Sequence, residues 1–138
     1  MSKRVYAEGT TVSADTSAAE IQKMLKALGA ERIGMMSSAT ETIIVFEVRQ
    51  CMYRISTPPT RSRPRVTKEQ LEREAWRALV LLVKAKKVAI EQRITTVEKE
   101  FMADTVMPDG STLIDHHKAI VTHNYSEGGA PRLLGFSS

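Results

Sequence analysis

Three prolines fall in nine residues, Thr57-Pro-Pro-Thr-Arg-Ser-Arg-Pro-Arg65. Proline fixes φ and lacks the backbone N–H, so such a stretch suits neither a helix interior nor a central strand. The segment is therefore predicted as an exposed, stiff loop that divides the chain. Before it the apolar residues change from helical to strand periodicity; after it the pattern is helical. The whole chain is 138 residues, about one domain. The expected organisation is 1–57 strand, helix and meander, 57–66 basic loop, 67–125 helical half and 126–138 irregular tail.

Thr10 to Ser13 are expected to form a short strand. Ser17 and Glu20 have capping-box spacing, and Ile21, Met24, Leu25 and Leu28 follow on one helical face. The first helix is placed at about 17–28, ended by Gly29. The period then changes to two. Ile33 and Met35 alternate with polar or small neighbours. Ile44, Phe46 and Val48 share one face, with Ile43, Val45, Glu47 and Arg49 on the other, and Tyr53 and Ile55 alternate with Met52 and Arg54. Three antiparallel strands are predicted at about 31–37, 41–49 and 51–57, joined by turns at 38–40 and near Gln50.

Val66, Thr67, Gln70 and Leu71 have the spacing of a capping box with a hydrophobic staple. No Gly or Pro follows before Thr95, so the helix they start is expected to run about 25 residues, with Leu71, Ala75, Ala78, Leu79, Leu82, Val83, Ala89 and Ile90 as its buried stripe. Thr95 to Glu98 form another box, followed by Val97, Phe101, Met102 and Val106 at helical spacing. After the Pro108-Asp-Gly110 turn a fourth helix is predicted from Thr112 to about Tyr125, with Leu113, His117, Ile120, Val121 and Asn124 along one face. The expected class is α+β: a β-α-β-β-β antiparallel meander packed against a long helix, followed by two shorter C-terminal helices.

Charge is distributed unevenly along the chain. The formal net charge is +4, and between Val48 and Lys68 stand Arg49, Arg54, Arg61, Arg63, Arg65 and Lys68 without one acidic residue. The basicity behind a pI of about 9.4 is thus concentrated here. Such a local field points to a polyanion partner. Arg73, Arg77, Lys84 and Lys87 recur on one side of the long helix, with Glu69, Glu72, Glu74 and Glu91 nearby. Arginine forks match phosphate oxygens, and a helix N-terminus adds donors and a positive dipole end. The expected contacts to phosphate are Arg54, Arg61, Arg63, Arg65, Lys68, Arg73 and Arg77, with Tyr53 or Trp76 as candidates to stack on bases; the other reading of Trp76 is a core or edge anchor against the sheet. Aromatic content of 5% argues against a platform that stacks many bases.

Other chemistry is thinly represented. Asp115, His116, His117 and His123 are the one cluster with ligand-type side chains, but adjacent histidines on a helix point about 100° apart and do not converge on one ion. His117 is expected to be half-buried in packing, His116 at the surface, and Asp115 paired with Lys118. Cys51 is expected to pack in its strand. No glycine-rich phosphate loop and no acid/base pair stand out, so neither enzyme activity, a metal nor a cofactor is expected. The N-terminus shows no apolar leader, and the longest apolar run, Ala78 to Val83, is far short of the about 20 residues of a membrane span. A cytoplasmic protein with no membrane partner is expected.

Thr11-Val-Ser13, Glu20-Ile21, Leu25, Trp76-Arg-Ala-Leu79, Lys84-Ala-Lys86, Ile94-Thr95, Glu98-Lys-Glu-Phe101 and Pro108-Asp-Gly-Ser-Thr112 together resemble a family of small proteins encoded by tailed bacteriophages and prophages. The similarity runs from about Thr10 to Leu134, and Thr57-Pro-Pro-Thr-Arg61 resembles the family's threonine-proline-threonine-basic loop with one extra proline. The resemblance implies a phage accessory protein in the bacterial host cytoplasm, with a place in DNA metabolism; it transfers no catalytic residue. Two functions follow as expectations. One is a non-enzymatic nucleic-acid binder, DNA favoured over RNA and single-stranded DNA above all, serving recombination or replication. The other is a modulator that docks on an acidic surface of a host replication or defence protein. A homo-oligomer fits either, because the long helix carries a wide apolar stripe.

Overall fold

The computed structural model describes residues 12–37, 41–57 and 63–132. Helix α1 (Val12–Ala27) leads into strands β1 (Arg32–Ser37), β2 (Thr42–Val48) and β3 (Cys51–Ser56), then the long helix α2 (Lys68–Glu91), the single turn α3 (Val97–Glu100), a 3-10 turn (Met102–Asp104) and helix α4 (Leu113–Gly128). The chain is an α+β fold built on one three-stranded antiparallel sheet in the order β1-β2-β3. Its register pairs Ile33 with Phe46, Met35 with Ile44, Phe46 with Tyr53 and Ile44 with Ile55. This puts the alternate apolar residues of all three strands on one face, as the period-two pattern requires.

That face, α1 and α2 share the core. Ile21 and Leu25 of α1, Ile44 and Phe46 of β2, and Trp76, Val80 and Val83 of α2 are all fully buried. Phe101 closes the far end, with its ring edge-on to Phe46 at 5.1 Å. Lys86 ties this closure to α2: its Nζ donates to the Glu100 carbonyl at 2.7 Å and lies 5.3 Å from the centre of the Phe101 ring.

The helix punctuation is local and chemically explicit. α1 ends in a Schellman motif: Gly29 at φ +99° donates to the Lys26 carbonyl, and Ala30 donates to that of Leu25. α2 starts at the expected capping box, with Thr67 accepting from the Gln70 N–H and Gln70 Oε1 accepting from the Thr67 N–H. It ends with Arg93, at φ 62°, in the position that glycine usually fills.

Several expectations are corrected. Val12 and Ser13 belong to α1, not to a strand, and Ser17 is a buried residue inside that helix rather than its cap; Thr10 and Thr11 lie outside the described residues. The third helix stops after one turn, capped by Thr96 rather than Thr95. The chain leaves helical conformation because β3 is an edge strand with unpaired carbonyls. Val106 N–H donates to the Met52 carbonyl at 2.8 Å, and Thr105 bridges to Tyr53.

The stripe of α2 is also different. The core takes Trp76, Leu79, Val80 and Val83, whereas Ala78 and Leu82 are exposed. α4 begins at the expected Thr112, which forms a capping box with Asp115, but no residue of this helix is buried. His117 is therefore exposed, not half-buried. Cys51 is exposed as well, at the first position after the β2–β3 turn. Among the described residues no helix is long and apolar enough to cross a membrane.

Candidate nucleic-acid interface

The basic run of the sequence does not fold into one patch. Arg49 sits with Gln50 in the two-residue β2–β3 turn, both at positive φ (51° and 69°), the signature of a type I′ hairpin. Its guanidinium pairs with Glu98 at 3.4 Å. β3 then runs six residues, roughly 20 Å, toward the opposite end of the sheet. Arg54 points from the face away from α1 and α2, since its register partner Val45 alternates with the core residues Ile44 and Phe46. It is close enough to Asp115 to help hold that carboxyl below its usual range, behind the larger effect of two hydrogen bonds from Thr112. Arg54 is thus no part of a track along α2, because strand alternation sends it to the other side. Arg61 lies outside the described residues.

What remains gathers at the N-terminal end of α2. Arg63, Pro64, Arg65 and Val66 form a β-turn closed by Val66 N–H donating to the Arg63 carbonyl at 3.2 Å. Pro64 holds the second position and Arg65 the third, at φ 64°. That is the type II pattern, which favours glycine at the third position. Arg65 is exposed there, and Lys68 is exposed as the first residue of the helix. The Thr67 cap takes the Gln70 N–H, while the first-turn N–H groups ahead of it have no intrahelical acceptor, as at every helix start.

Arg63 is not the unopposed cation expected of an acid-free loop. Its terminal nitrogen reaches both oxygens of Glu74, at 2.7 and 2.9 Å. The acid comes from the second turn of α2, outside the run in sequence but adjacent in space. Glu74 in turn lines an open groove of about 810 Å3 between α1 and α2, walled by Arg73, Arg77 and Gln70 on one side and by Thr16, Ser17 and Glu20 on the other. Arg63, Arg73 and Arg77 therefore meet around one groove mouth, with Arg65 and Lys68 at its end. Glu72 turns away, accepting from the Ser37 hydroxyl at 2.6 Å. Further along α2, Lys86 is engaged by Glu100, and Lys87 pairs with Glu91 at 2.9 Å.

Neither expected stacking ring is available. Trp76 is 0% exposed and Tyr53 2% exposed, and the Tyr53 ring packs 5.4 Å from that of Phe46. Burial raises the Tyr53 hydroxyl above its usual pKa, with smaller contributions from Cys51 and Glu98. A base stacks only on an accessible ring face, and both rings are spent on the core.

A second cluster escaped the sequence reading. Ser111 Oγ lies 2.6 Å from Asp109 Oδ1 and 2.8 Å from His116 Nε2, and Asp109 Oδ2 lies 3.5 Å from that same nitrogen. Serine, histidine and aspartate in contact invite comparison with a nucleophilic triad. A triad needs the acid on Nδ1 and the serine on Nε2, so that the ring passes a proton between them. Here both groups face Nε2, and Asp109 also accepts from the Ser111 N–H at 3.0 Å. These bonds hold Asp109 below its usual pKa and shape the turn into α4. Among the described residues no three histidine, cysteine or acidic side chains are placed to hold a metal ion. No family model matches the chain, and neither a curated protein nor a solved structure is significantly similar to it.

Proposed function

We propose that this chain is a non-enzymatic nucleic-acid-binding accessory protein of a bacteriophage, acting in the host cytoplasm on DNA in preference to RNA, with single-stranded DNA the favoured ligand. The observation that carries the reading is the convergence of Arg63, Arg65, Lys68, Arg73 and Arg77 at one end of α2 and around the α1–α2 groove. Glu20, Glu69 and Glu74 stand among these five cations, so the field there is positive but modest. Arg63 is held ready by Glu74, and a phosphate that takes over the guanidinium releases the carboxylate. Binding is to the backbone, with no base stacked on Tyr53 or Trp76. The pure charge contact makes affinity moderate, independent of base sequence and steeply salt-dependent.

The test is titration of the full chain with labelled single-stranded DNA, duplex DNA and RNA across a salt series. Engagement of three to five phosphates gives a log-log slope of about −2 to −3.5 on single strands. Arg73→Ala with Arg77→Ala lowers the slope by about 1.4 if both touch phosphate. Affinity that is absent, or flat from low to physiological salt, overturns the proposal. The alternative, a modulator docking on a host replication or defence protein, draws on the outer face of the sheet, where Met36 and Met52 are exposed beside Ile43 and Val45 and next to Arg54 and the Arg32–Glu47 pair. A host protein recovered on the chain after nuclease treatment, and lost on Met52→Asp, decides for it.

A further inference from the structure

α2 is apolar on two sides. Trp76, Leu79, Val80 and Val83 face the core. On an adjacent side Leu71, Ala75, Ala78, Leu82, Ala85 and Ala89 follow one another at intervals of four, three, four, three and four residues, with Ala78, Leu82 and Ala85 exposed and Leu71, Ala75 and Ala89 half-buried. That spacing is the a/d seam of a coiled coil. Leu82 is 42% exposed, and Leu81 and Val88, which flank the seam, are 53% and 51% exposed. Glu74 and Lys86 border the seam one on each flank, and both are engaged, Glu74 by Arg63 and Lys86 by Glu100. An exposed helix face ordinarily carries charge; here the charges stand on its flanks and the middle is bare.

We propose that this face is the interface of a homodimer, in which α2 packs antiparallel against α2 of a second copy. The occupant follows from the order of large and small residues. In the antiparallel register Leu71 faces Ala89 of the second copy, Ala75 faces Ala85, and Ala78 faces Leu82; the two-fold axis repeats the same three contacts. Every leucine meets an alanine, so no layer sets two large side chains against each other, and only the Ala75–Ala85 layers pair small with small. A parallel pair sets leucine against leucine and alanine against alanine, and the spacing alternates. The four alanines let the two helices approach toward the short end of the roughly 8–10 Å range.

The helix is 24 residues long, about 36 Å, and a contact strip about 10 Å wide covers roughly 360 Å2 on each copy before side-chain relief is counted. Interdigitation raises the total toward the roughly 1,000–1,200 Å2 at which specific interfaces begin. That places the dimer among the weaker, reversible assemblies. It does not rest on the nucleic-acid reading: no residue of the seam is among the phosphate contacts, and the two surfaces adjoin at Ala78, which also lines the α1–α2 groove.

Analytical ultracentrifugation of the full chain, from low micromolar to hundreds of micromolar, shows a monomer–dimer equilibrium. Leu82→Glu buries a charge in the seam and raises the dissociation constant by more than about tenfold, while circular dichroism stays that of the parent. Ala78→Leu alone overpacks against Leu82 and weakens the dimer; adding Leu82→Ala restores the large-against-small pair and recovers it. On a Cys51→Ser background, mixing Ala75→Cys with Ala85→Cys gives a disulfide-linked heterodimer, and Ala75→Cys alone does not link to itself. A monomer at every concentration overturns the proposal. A dimer indifferent to Leu82→Glu also overturns it and moves the contact to another face, such as the outer side of the sheet. Self-linkage of Ala75→Cys overturns the antiparallel register.

Discussion

Arg65→Gly separates what the turn before α2 needs from what its side chain does. Arg65 sits at φ 64°, where an L-residue loses about 1–2 kcal/mol relative to the right-handed region and glycine loses nothing. Glycine also widens the unfolded ensemble, which returns about 0.5–1 kcal/mol of that gain. The net expectation is a more stable protein by about 0.5–1 kcal/mol. For a chain of this size that raises Tm by about 2–3 °C. Arg65→Ala keeps the Cβ and the strain, so its Tm stays near the parent value, and Arg65→Lys keeps both strain and charge. Urea unfolding and calorimetry read the stability; the salt series on single-stranded DNA reads the other half. Arg65→Gly and Arg65→Ala both lower the salt slope by about 0.7, one phosphate contact, while only the glycine variant gains stability. A glycine variant no more stable than the alanine one refutes the turn assignment. A glycine variant that gains stability and binds DNA like the parent removes the reason for an arginine in a glycine position.

The β2–β3 hairpin gives the same test without charge at a binding site: Arg49→Asn with Gln50→Gly supplies the residues a type I′ turn prefers and is expected to stabilise by about 1 kcal/mol in urea unfolding. Trp76→Ala removes the largest core side chain and costs about 3–5 kcal/mol, and the emission of the parent Trp76 is blue-shifted and unquenched by DNA; quenching on binding refutes its assignment to the core. Asp104 carries a carboxyl whose pKa is raised by burial, partly offset by Lys86. The folded form binds its proton more tightly, so Asp104 favours the fold most below its usual pKa of 3.8 and loses that contribution as pH rises through the folded value. Asp104→Asn is therefore more stable than the parent at pH 7, and the two melting curves converge on acidification; a neutral variant less stable at pH 7 shows that the Lys86 attraction dominates instead.

Much of the fold was legible because its signals are local. The Thr67 cap, the start of α4 at Thr112, the Gly29 stop and the alternation through Ile44, Phe46 and Ile55 depend on a few neighbours each, and all stand where the sequence puts them. What failed depended on distant partners. Val97, Phe101, Met102 and Val106 have helical spacing, but Val106 answers to the β3 edge, which only tertiary structure creates. The apolar residues of α2 suggested one wide stripe, whereas they form two faces, and periodicity cannot say which one meets the core. Tyr53 looked like an amphipathic ring available to bases and was needed inside, and of the two readings of Trp76 the core anchor holds, because a sheet of three short strands has few other large side chains to bury. Glu74 was visible beside the basic run, but its pairing with Arg63 spans 11 residues and a turn.

The proposed dimer would change the meaning of the basic end. The turn at Arg63–Val66 immediately precedes α2, so an antiparallel pair sets two such turns at opposite ends of a helix about 36 Å long. A two-fold axis perpendicular to both helices leaves the two turns projecting to the same side. Each turn then lies beside the C-terminal end of the second α2, where Arg93 stands, and each end gains a cation that one copy alone does not have there. About 36 Å is close to one turn of duplex DNA. If both proposals hold, binding and dimerisation are coupled: DNA long enough to reach both ends favours the dimer, and by reciprocity the dimer binds such DNA more tightly. Duplexes well under about ten base pairs then leave the dimer dissociation constant unchanged, longer ones lower it, and Leu82→Glu weakens binding to the long duplexes alone. Sedimentation with fluorescently labelled duplexes of graded length measures this. An equal effect of Leu82→Glu on short and long DNA would show that the two ends act singly, and the linkage would fail even with dimer and binding both intact.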